Sequence, residues 1–282
     1  MSQTGHLADR PHLRPFEHAP RPLVGYALDK PTAEDTGWHQ HPRAQLLYAV
    51  AGVMRVATAD ALFIVPPGTG LWMPAQTRHV TRTPAGLRMR ALFLREDAAR
   101  AGPGAVTVVA VSPLLRALIL AACEEPVMWD EAGPVRHVVA LALHEIGHAA
   151  TRPVSVPACR DPRLQRVADA LLADPADARG LEAFAEVAGA SARTLARLFR
   201  RDTGMSFQAW RRQLRLTEAM ASLAQGATPA RAAASVGYSS GPAFGAAFRA
   251  AFGTTPGQSR QEHDGEMRLH NAHGRQFSPL PR

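Results

Sequence analysis

The sequence predicts an α+β protein, with a small antiparallel β-barrel followed by an all-α domain that holds two helix-turn-helix motifs. Short apolar runs separated by glycine and proline fill residues 23–94, and helical periodicity replaces them from residue 113 onward. One plan of short helix, turn and second helix then occurs twice between residues 181 and 252. A chain of 282 residues with 46% hydrophobic side chains is long enough to bury a core in each of two domains.

The barrel is predicted at residues 23–110. Apolar runs at residues 45–50, 53–57, 62–65, 71–73 and 87–94 have the length and spacing of antiparallel strands in a barrel or sandwich. Residues 1–22 contain several prolines among polar residues and show no periodicity, so we expect a flexible arm there.

Two helices are predicted in residues 111–151, as a packing or dimerisation segment. In the second helix Val135, Val139, Ala142 and Ile146 share one apolar stripe, which suits packing on the barrel or pairing with a second subunit. Residues 152–160 contain two prolines and no periodicity, which predicts a linker to the helical domain at 161–258. The polar residues 259–282 predict a disordered tail.

Charge and cysteine content narrow the classes of function. The formal net charge of +8 favours a polyanionic partner, and Lys30 is the only lysine, so the positive charge is almost all guanidinium. Cys123 and Cys159 stand far apart and fit neither a disulfide framework nor a zinc site of paired thiolates, which predicts a reducing cytoplasm. Because no apolar stretch reaches the ~18 residues that a bilayer requires, we expect neither secretion nor membrane insertion.

The first helix-turn-helix unit is predicted at residues 181–201. Gly189 and Ala190 break a short apolar helix, and Ser191 is a preferred residue type for capping the next one. Inward-facing Leu195 and Leu198 leave the opposite face of that helix to polar side chains. These outward residues are Arg193, Thr194, Arg197 and Arg201. An exposed helix of this kind fits the major groove of DNA, where arginine can contact guanine, although an ordinary helical hairpin has the same pattern.

The same plan is repeated further on. Residues 229–236 form the short helix, 237–240 the turn and 242–252 the second helix, and a longer helix at 207–224 spaces the two units. Two recognition helices on one rigid chain can enter successive major grooves about 34 Å apart.

Several segments of this region follow a known family pattern: 191–199 (SARTLARLF), 204–206 (GMS), 210–216 (WRRQLRL), 237–240 (GYSS) and 248–256 (FRAAFGTTP). With them, residues 181–256 resemble the DNA-binding domain of the AraC/XylS family of bacterial transcription regulators. The resemblance implies that Arg193, Ala196 and Arg197 face the bases from the first recognition helix. In the second recognition helix it implies the same for Gly241, Pro242, Ala243, Gly245 and Ala246.

The second set of positions has no side-chain hydrogen-bond donor. We therefore expect the first helix to supply most of the base discrimination, and the second to contact the DNA backbone and phosphates, Arg249 included. The remaining predicted DNA contacts are Ser191, Thr194, Arg201, Ser239 and Ser240.

A histidine pattern marks the barrel. His39, His41 and Gln45 share strand parity and point to one face. The spacings H-x-H-x3-Q-x6-G at 39–52 and G-x5-P-x4-H at 68–79 resemble the two cupin motifs, and the second adds His79. Gln45 stands where metal-binding cupins usually carry Glu, and Gln76 where Gly is common. A neutral amide is a weaker ligand than a carboxylate, but three imidazoles still suit Zn²⁺, Ni²⁺ or Fe²⁺.

Two interpretations of this pattern stay open. The residues either hold a divalent metal, as His39, His41, Gln45 and His79 would, or they line an effector pocket by hydrogen bonding alone. Apolar walls for that pocket are predicted from Trp38, Tyr48 and Trp72. A further pattern, His144-Glu-Ile-Gly-His148, has the form of a zinc peptidase motif, but Gly147 weakens the helix and no third ligand follows at an expected spacing, so peptidase activity is not predicted.

The sequence thus predicts a cytoplasmic, ligand-responsive transcription regulator that is not an enzyme. Its expected partners are double-stranded promoter DNA, a small-molecule or metal effector, a second copy in a homodimer and, if it activates, RNA polymerase. The alternative is a dioxygenase-like cupin metalloenzyme fused to a DNA-binding domain.

Overall fold

Two antiparallel sheets that share a core form the amino-terminal domain. The computed structural model describes residues 10–83, 86–152 and 155–260. The strands are β1 (Leu23–Lys30), β2 (Glu34–Asp35), β3 (Ala44–Ala51), β4 (Met54–Thr58), β5 (Ala61–Val65), β6 (Thr69–Met73), β7 (His79–Thr83), β8 (Leu87–Leu94), β9 (Thr107–Ala110), β10 (Thr151–Arg152) and β11 (Ser155–Pro157). One sheet has the order β1-β8-β3-β6-β9-β10 and the other β11-β5-β4-β7-β2. The predicted α+β class is confirmed.

Both faces of β3 and β6, two inner strands of the six-stranded sheet, are buried. On β3, Leu47 and Ala49 pack between the sheets, whereas Leu46 and Tyr48 pack on the outer side under two helices. Side chains alternate along a strand, so consecutive residues enter different cores. This explains why β3 reads as a continuous apolar run rather than as an alternating one.

The covering helices are α3 (Pro113–Glu124) and α4 (Val135–His148), and a short α2 (Glu96–Ala99) precedes them. The Ser112 hydroxyl caps α3 by accepting from the Leu115 N–H at 3.0 Å. Val139, Ala142 and Ile146 of the predicted stripe are buried with the outer side of the sheet. Of the two packing partners that the sequence allowed for this stripe, the barrel is the one in contact.

Residues 10–22 are not a free arm. They form a 3₁₀ turn (Pro11–Leu13) and the short helix α1 (Arg14–His18), and Leu13 and Ala19 are buried. The buried guanidinium of Arg43 donates to the carbonyl oxygens of Glu17 and Ala19, which fixes the segment to the barrel. Only a few separated residues attach the segment to the barrel, and they produce no periodic pattern. The prediction of a flexible arm was therefore wrong for residues 10–22. Residues 1–9 lie outside the described part of the chain.

The predicted linker also contains regular structure. β10 pairs with β9 and β11 pairs with β5, so the segment adds one edge strand to each sheet. Pro157 ends an edge strand, where a missing N–H costs little.

The predicted disordered tail does not begin at residue 259. Ser259, which follows the carboxy-terminal helices, is buried, and its N–H donates to the Thr255 carbonyl at 2.9 Å. Residues 261–282 lie outside the described range.

The carboxy-terminal domain is helical. Its helices are α5 (Pro162–Ala173), α6 (Leu181–Ala188), α7 (Ala192–Thr203), α8 (Phe207–Ala224), α9 (Pro229–Ser235) and α10 (Gly241–Phe252). The pairs α6–α7 and α9–α10 are the two predicted helix-turn-helix units. Gly189 and Gly237 occupy their turns with φ of +64° and +76°, a conformation that other residues adopt at a cost.

Helix α8 joins the two domains. The Trp210 indole N–H donates to the Pro157 carbonyl at 2.8 Å, and Arg55 of β4 forms a two-pronged ion pair with the buried Glu218 at 3.1 and 2.7 Å. The carboxy-terminal helical domain is therefore docked on the five-stranded sheet. No helix within the described ranges is both long and apolar enough to cross a membrane.

Candidate effector pocket and DNA-binding surface

A cavity lined by both sheets contains the histidine cluster. Its empty volume is about 540 Å³ with the opening included. Charged side chains at its lining are already paired, since Lys30 lies 2.5 Å and Arg10 lies 3.5 Å from the Glu34 carboxylate. The lining also contains His39, His41, Gln45 and His79, and the apolar side chains Leu13, Leu28, Leu47, Met89, Ala91 and Phe93. The cavity thus combines an apolar side with many polar and charged groups, among them the three histidines.

Backbone pairing brings the three imidazoles together. The His39 N–H donates to the His79 carbonyl at 2.9 Å, and the reverse bond is 2.8 Å long. The Gln76 N–H donates to the His41 carbonyl at 2.8 Å, which fixes the third histidine beside them. One ring nitrogen from each of the three lies within 4.8 Å of those of the other two, and all three side chains are buried.

A hydrogen bond at Nδ1 also orients each imidazole. Nδ1 of His39 lies 2.8 Å from the Gly37 carbonyl oxygen, and Nδ1 of His79 lies 2.9 Å from the Thr77 carbonyl oxygen. Nδ1 of His41 lies 2.6 Å from Oε1 of Glu17. Carbonyl and carboxylate oxygens only accept, so each Nδ1 carries the proton and each Nε2 keeps a lone pair. Metal-binding histidines are oriented in this way.

Burial keeps these rings neutral. Burial first, and then repulsion between neighbouring imidazolium ions at His39, lower the pKa of His41 and of His79 from 6.5 to about 3. Burial also lowers the pKa of His39. Neutral imidazole is the form that coordinates a metal ion.

Gln45 contributes an unsatisfied oxygen. Its side chain is buried and its Oε1 has no hydrogen-bond partner in the described protein. Such an atom costs about 1–3 kcal/mol unless a ligand satisfies it. Gln76 has a φ of +61°, alone among the described non-glycine residues, which agrees with a turn position where glycine is common.

The exposed face of α7 presents arginines. Arg193 and Arg197 are exposed, Ala196 is half-buried beside them, and Leu195 and Leu198 are fully buried. The Ser191 hydroxyl caps the helix by accepting from the Thr194 N–H at 3.2 Å, so both residues have a structural role at its start.

Arg201 differs from the other arginines of α7. Its guanidinium lies 2.7 Å from Asp202 and 3.5 Å from Asp161. Because these carboxylates neutralise it, Arg201 is a weaker candidate for base contact than its position on the helix predicted.

The exposed face of α10 presents small side chains. The Ser240 hydroxyl caps the helix by accepting from the Ala243 N–H at 3.4 Å, Ser239 before it is exposed, and Arg249 is exposed in the last turn. Between them Gly241, Pro242, Ala243 and Ala246 are exposed and Gly245 is half-buried. Phe244 and Phe248 fill the inner side.

Comparison with known proteins gives the family. Residues 24–189 match the AraC-like ligand binding domain, and residues 184–262 match the helix-turn-helix domain. The chain is also 30% identical over 259 residues to the HTH-type transcriptional regulator NimR of Escherichia coli K12, with 92% of each chain covered. The chain belongs to the AraC family of transcriptional regulators.

Two further similarities cover a smaller part of the chain. The HTH-type transcriptional regulator RipA of Corynebacterium glutamicum is 40% identical over 113 residues, which is 40% of this chain and 34% of RipA. A solved AraC-type DNA-binding domain-containing regulator from Chromobacterium violaceum is 28% identical and covers 36% of this chain and 92% of its own, with a TM-score of 0.35. The two family matches show that this AraC-family chain has an amino-terminal ligand-binding domain and a carboxy-terminal DNA-binding domain.

Some predicted wall residues of the AraC-family pocket lie elsewhere. Tyr48 and Trp72 pack in the outer core under α3 and α4, and the Trp72 indole donates to the Pro103 carbonyl at 2.6 Å. Trp38 is half-buried and stacks with the Arg78 guanidinium, 5.5 Å from its ring centroid. The error has a physical cause, because β3 and β6 are buried on both faces and an apolar residue gives no sign of which face it occupies.

Two residues that support the pocket from outside its lining, Glu17 and Arg43, were missed. Glu17 lies in the segment predicted to be flexible, and nothing in the sequence connects it with His41. Arg43 has the same strand parity as His39, His41 and Gln45, and this parity was a signal in the sequence that Arg43 belongs with them. It was not selected because arginine is rarely buried.

The HExxH pattern does not form a peptidase site. His144 and His148 are exposed on α4, whereas Glu145 turns to the barrel side and accepts from the Ser112 hydroxyl at 2.6 Å. Among the described residues, this pair belongs to no group of three metal-ligating side chains. A general base held away from the histidines cannot activate a water bound to them.

Proposed function

We propose that this regulator senses a divalent transition metal, Zn²⁺, Ni²⁺ or Fe²⁺, held by His39, His41 and His79 with Gln45 as a fourth ligand. The observation that carries the proposal is the arrangement of the three imidazoles, each hydrogen-bonded at Nδ1 and free at Nε2. A merely polar pocket does not require three histidines to be oriented alike.

The dimensions and the donor set agree with such an ion. A tetrahedral zinc site with Zn–N bonds of ~2.0–2.1 Å needs nitrogens about 3.3 Å apart. In the structure the ligand nitrogens of the three histidines lie within 4.8 Å of one another, and small ring movements would bring them to the distance that the metal requires. Gln45 Oε1, which lacks a partner, supplies an oxygen on the same cavity wall. Nitrogen ligands with one neutral oxygen favour late first-row ions over Mg²⁺ or Ca²⁺.

We further propose that Arg193 and Arg197 of α7 read bases in promoter DNA. Arg249 with Ser239 and Ser240 contacts phosphates from the second unit, and the exposed small side chains of α10 allow close approach of the DNA backbone. The metal acts by linkage, since it must bind one arrangement of the two domains more tightly than another. Such a rearrangement would change the contact between α8 and the five-stranded sheet, which includes the ion pair of Glu218 with Arg55.

The regulator works in the cytoplasm as a homodimer that associates through the exposed face of α4, and contacts RNA polymerase if its output is activation. We propose no enzymatic activity, because the matched family models describe a ligand-binding domain and a helix-turn-helix domain, and NimR is a transcriptional regulator.

The proposal is tested by selecting DNA that the full-length protein binds from a random library, and then measuring its affinity at one fixed salt concentration. Measurements are made in chelator and with Zn²⁺, Ni²⁺ or Fe²⁺ added. We expect one of these ions to change the affinity about 5–150-fold. Equal affinity under all conditions, with no metal bound by elemental analysis, would reject the metal and leave an organic effector as the occupant of the cavity.

Glu17 should tune the metal site. In Glu17→Ala the His41 ring loses the partner of its Nδ1–H, and we expect metal affinity to fall about 10–100-fold. Glu17→Gln keeps an accepting oxygen at this point and should retain most of the affinity. Isothermal titration with Zn²⁺ measures both, and wild-type affinity in Glu17→Ala would contradict the assigned role.

A further inference from the structure

The outer face of α4 is exposed and uncharged from His137 to the end of the helix. Apart from Gly147, its exposed residues are His137, Ala140, Leu141, His144 and His148. Leu141 is 48% exposed. The acidic residue in this stretch, Glu145, is half-buried and bonded to Ser112. Charge depletion around an exposed large apolar side chain is typical of the centre of a protein–protein interface.

Two histidines lie side by side on this face. The ring centroids of His144 and His148 are 4.3 Å apart, one helical turn from each other. Nδ1 of His148 lies 2.8 Å from the His144 carbonyl oxygen and so carries the proton, which leaves Nε2 of His148 free to bind. Two imidazoles in this arrangement supply half of a tetrahedral coordination sphere, and the other half faces solvent because both side chains are exposed.

We propose that two copies of the chain hold one Zn²⁺, or another late first-row divalent ion, between the His144–His148 pairs of their α4 helices. A two-fold axis brings the same residues of both copies together, so each copy supplies two of the four nitrogens. The ion then lies beside Leu141, whose apolar surface is buried by the same association. This inference rests on the α4 dimer proposed above, and it adds a metal dependence that is separate from the barrel histidines.

The test is the oligomeric state of the full-length protein, measured by sedimentation equilibrium in chelator and in added Zn²⁺. In the wild type, Zn²⁺ should lower the dimer dissociation constant at least about tenfold, because an ion that binds only the dimer stabilises it by mass action. His144→Ala and His148→Ala should remove this gain.

Two variants serve as controls. His137→Ala removes an imidazole from the same helix face but outside the pair, and should keep the zinc-dependent gain. His79→Ala in the barrel should also keep it. A dimer of equal strength with and without Zn²⁺ would overturn the metal bridge and retain the dimer, whereas a monomer under all conditions would overturn both. A zinc effect that persists in His148→Ala would place the ion elsewhere and overturn the bridge.

Discussion

Replacing His79 with alanine should abolish the response of promoter binding to metal bound in the barrel. The variant loses one of three nitrogen ligands, so its metal affinity should fall by more than the ~10–100-fold that loss of a hydrogen-bond partner behind a ligand costs. In a His148→Ala background, which removes the proposed α4 metal bridge, we expect the affinity of His79→Ala for its selected DNA to be the same in chelator and in metal. Fluorescence anisotropy at one fixed ionic strength measures this affinity.

The matched control is His18→Ala, which removes an exposed imidazole from α1 and should leave the metal response intact. Thermal unfolding of both variants shows whether they remain folded. A protein with both His79→Ala and His148→Ala that is folded and still changes its DNA affinity with metal would refute the barrel site.

Replacing Arg197 with alanine should weaken binding to the selected DNA by about 1–3 kcal/mol, a factor of about 5–150, and relax the preference for one base pair. Arg197 is exposed on α7, and no ion pair with it is present among the described residues. Its guanidinium is therefore free to donate two hydrogen bonds to guanine. The measurement compares selected DNA with a scrambled duplex of the same length.

Arg201→Ala is the control on the same helix. Arg201 is paired with Asp161 and Asp202, so its loss should change binding less, and equally for both duplexes. If Arg197→Ala binds the selected and the scrambled DNA as the wild type does, the assignment of α7 to base recognition is wrong.

The proposed metal site and the contact that docks the DNA-binding domain both involve the five-stranded sheet. β7 begins with His79 and pairs with β4, and β4 carries Arg55, which holds Glu218 of α8. The proposed metal at His79 and the docked DNA-binding domain would therefore act on neighbouring strands. This adjacency gives a physical basis for the linkage that both predictions test.

Strong periodicity is what made parts of the fold predictable. The bounds of β8 and α8 agree with the predicted 87–94 and 207–224. An apolar run between turns predicts a strand, and a long amphipathic stripe predicts a helix. His39, His41 and His79 were found from motif spacing, and the structure brings them together. Glu17 could not be found, since its contact with His41 depends on how a segment without periodicity packs on the barrel.

The order of the two domains, the pair of helix-turn-helix units and the three histidines could be predicted from the amino-acid sequence, because short-range spacing encodes all of these. The folded chain was needed to show which face of each doubly buried strand lines the cavity, that residues 10–22 pack against the barrel, and that Arg201 is neutralised by Asp161 and Asp202. The reason is that these features depend on contacts between residues distant in sequence, and local patterns of polarity carry no information about such partners.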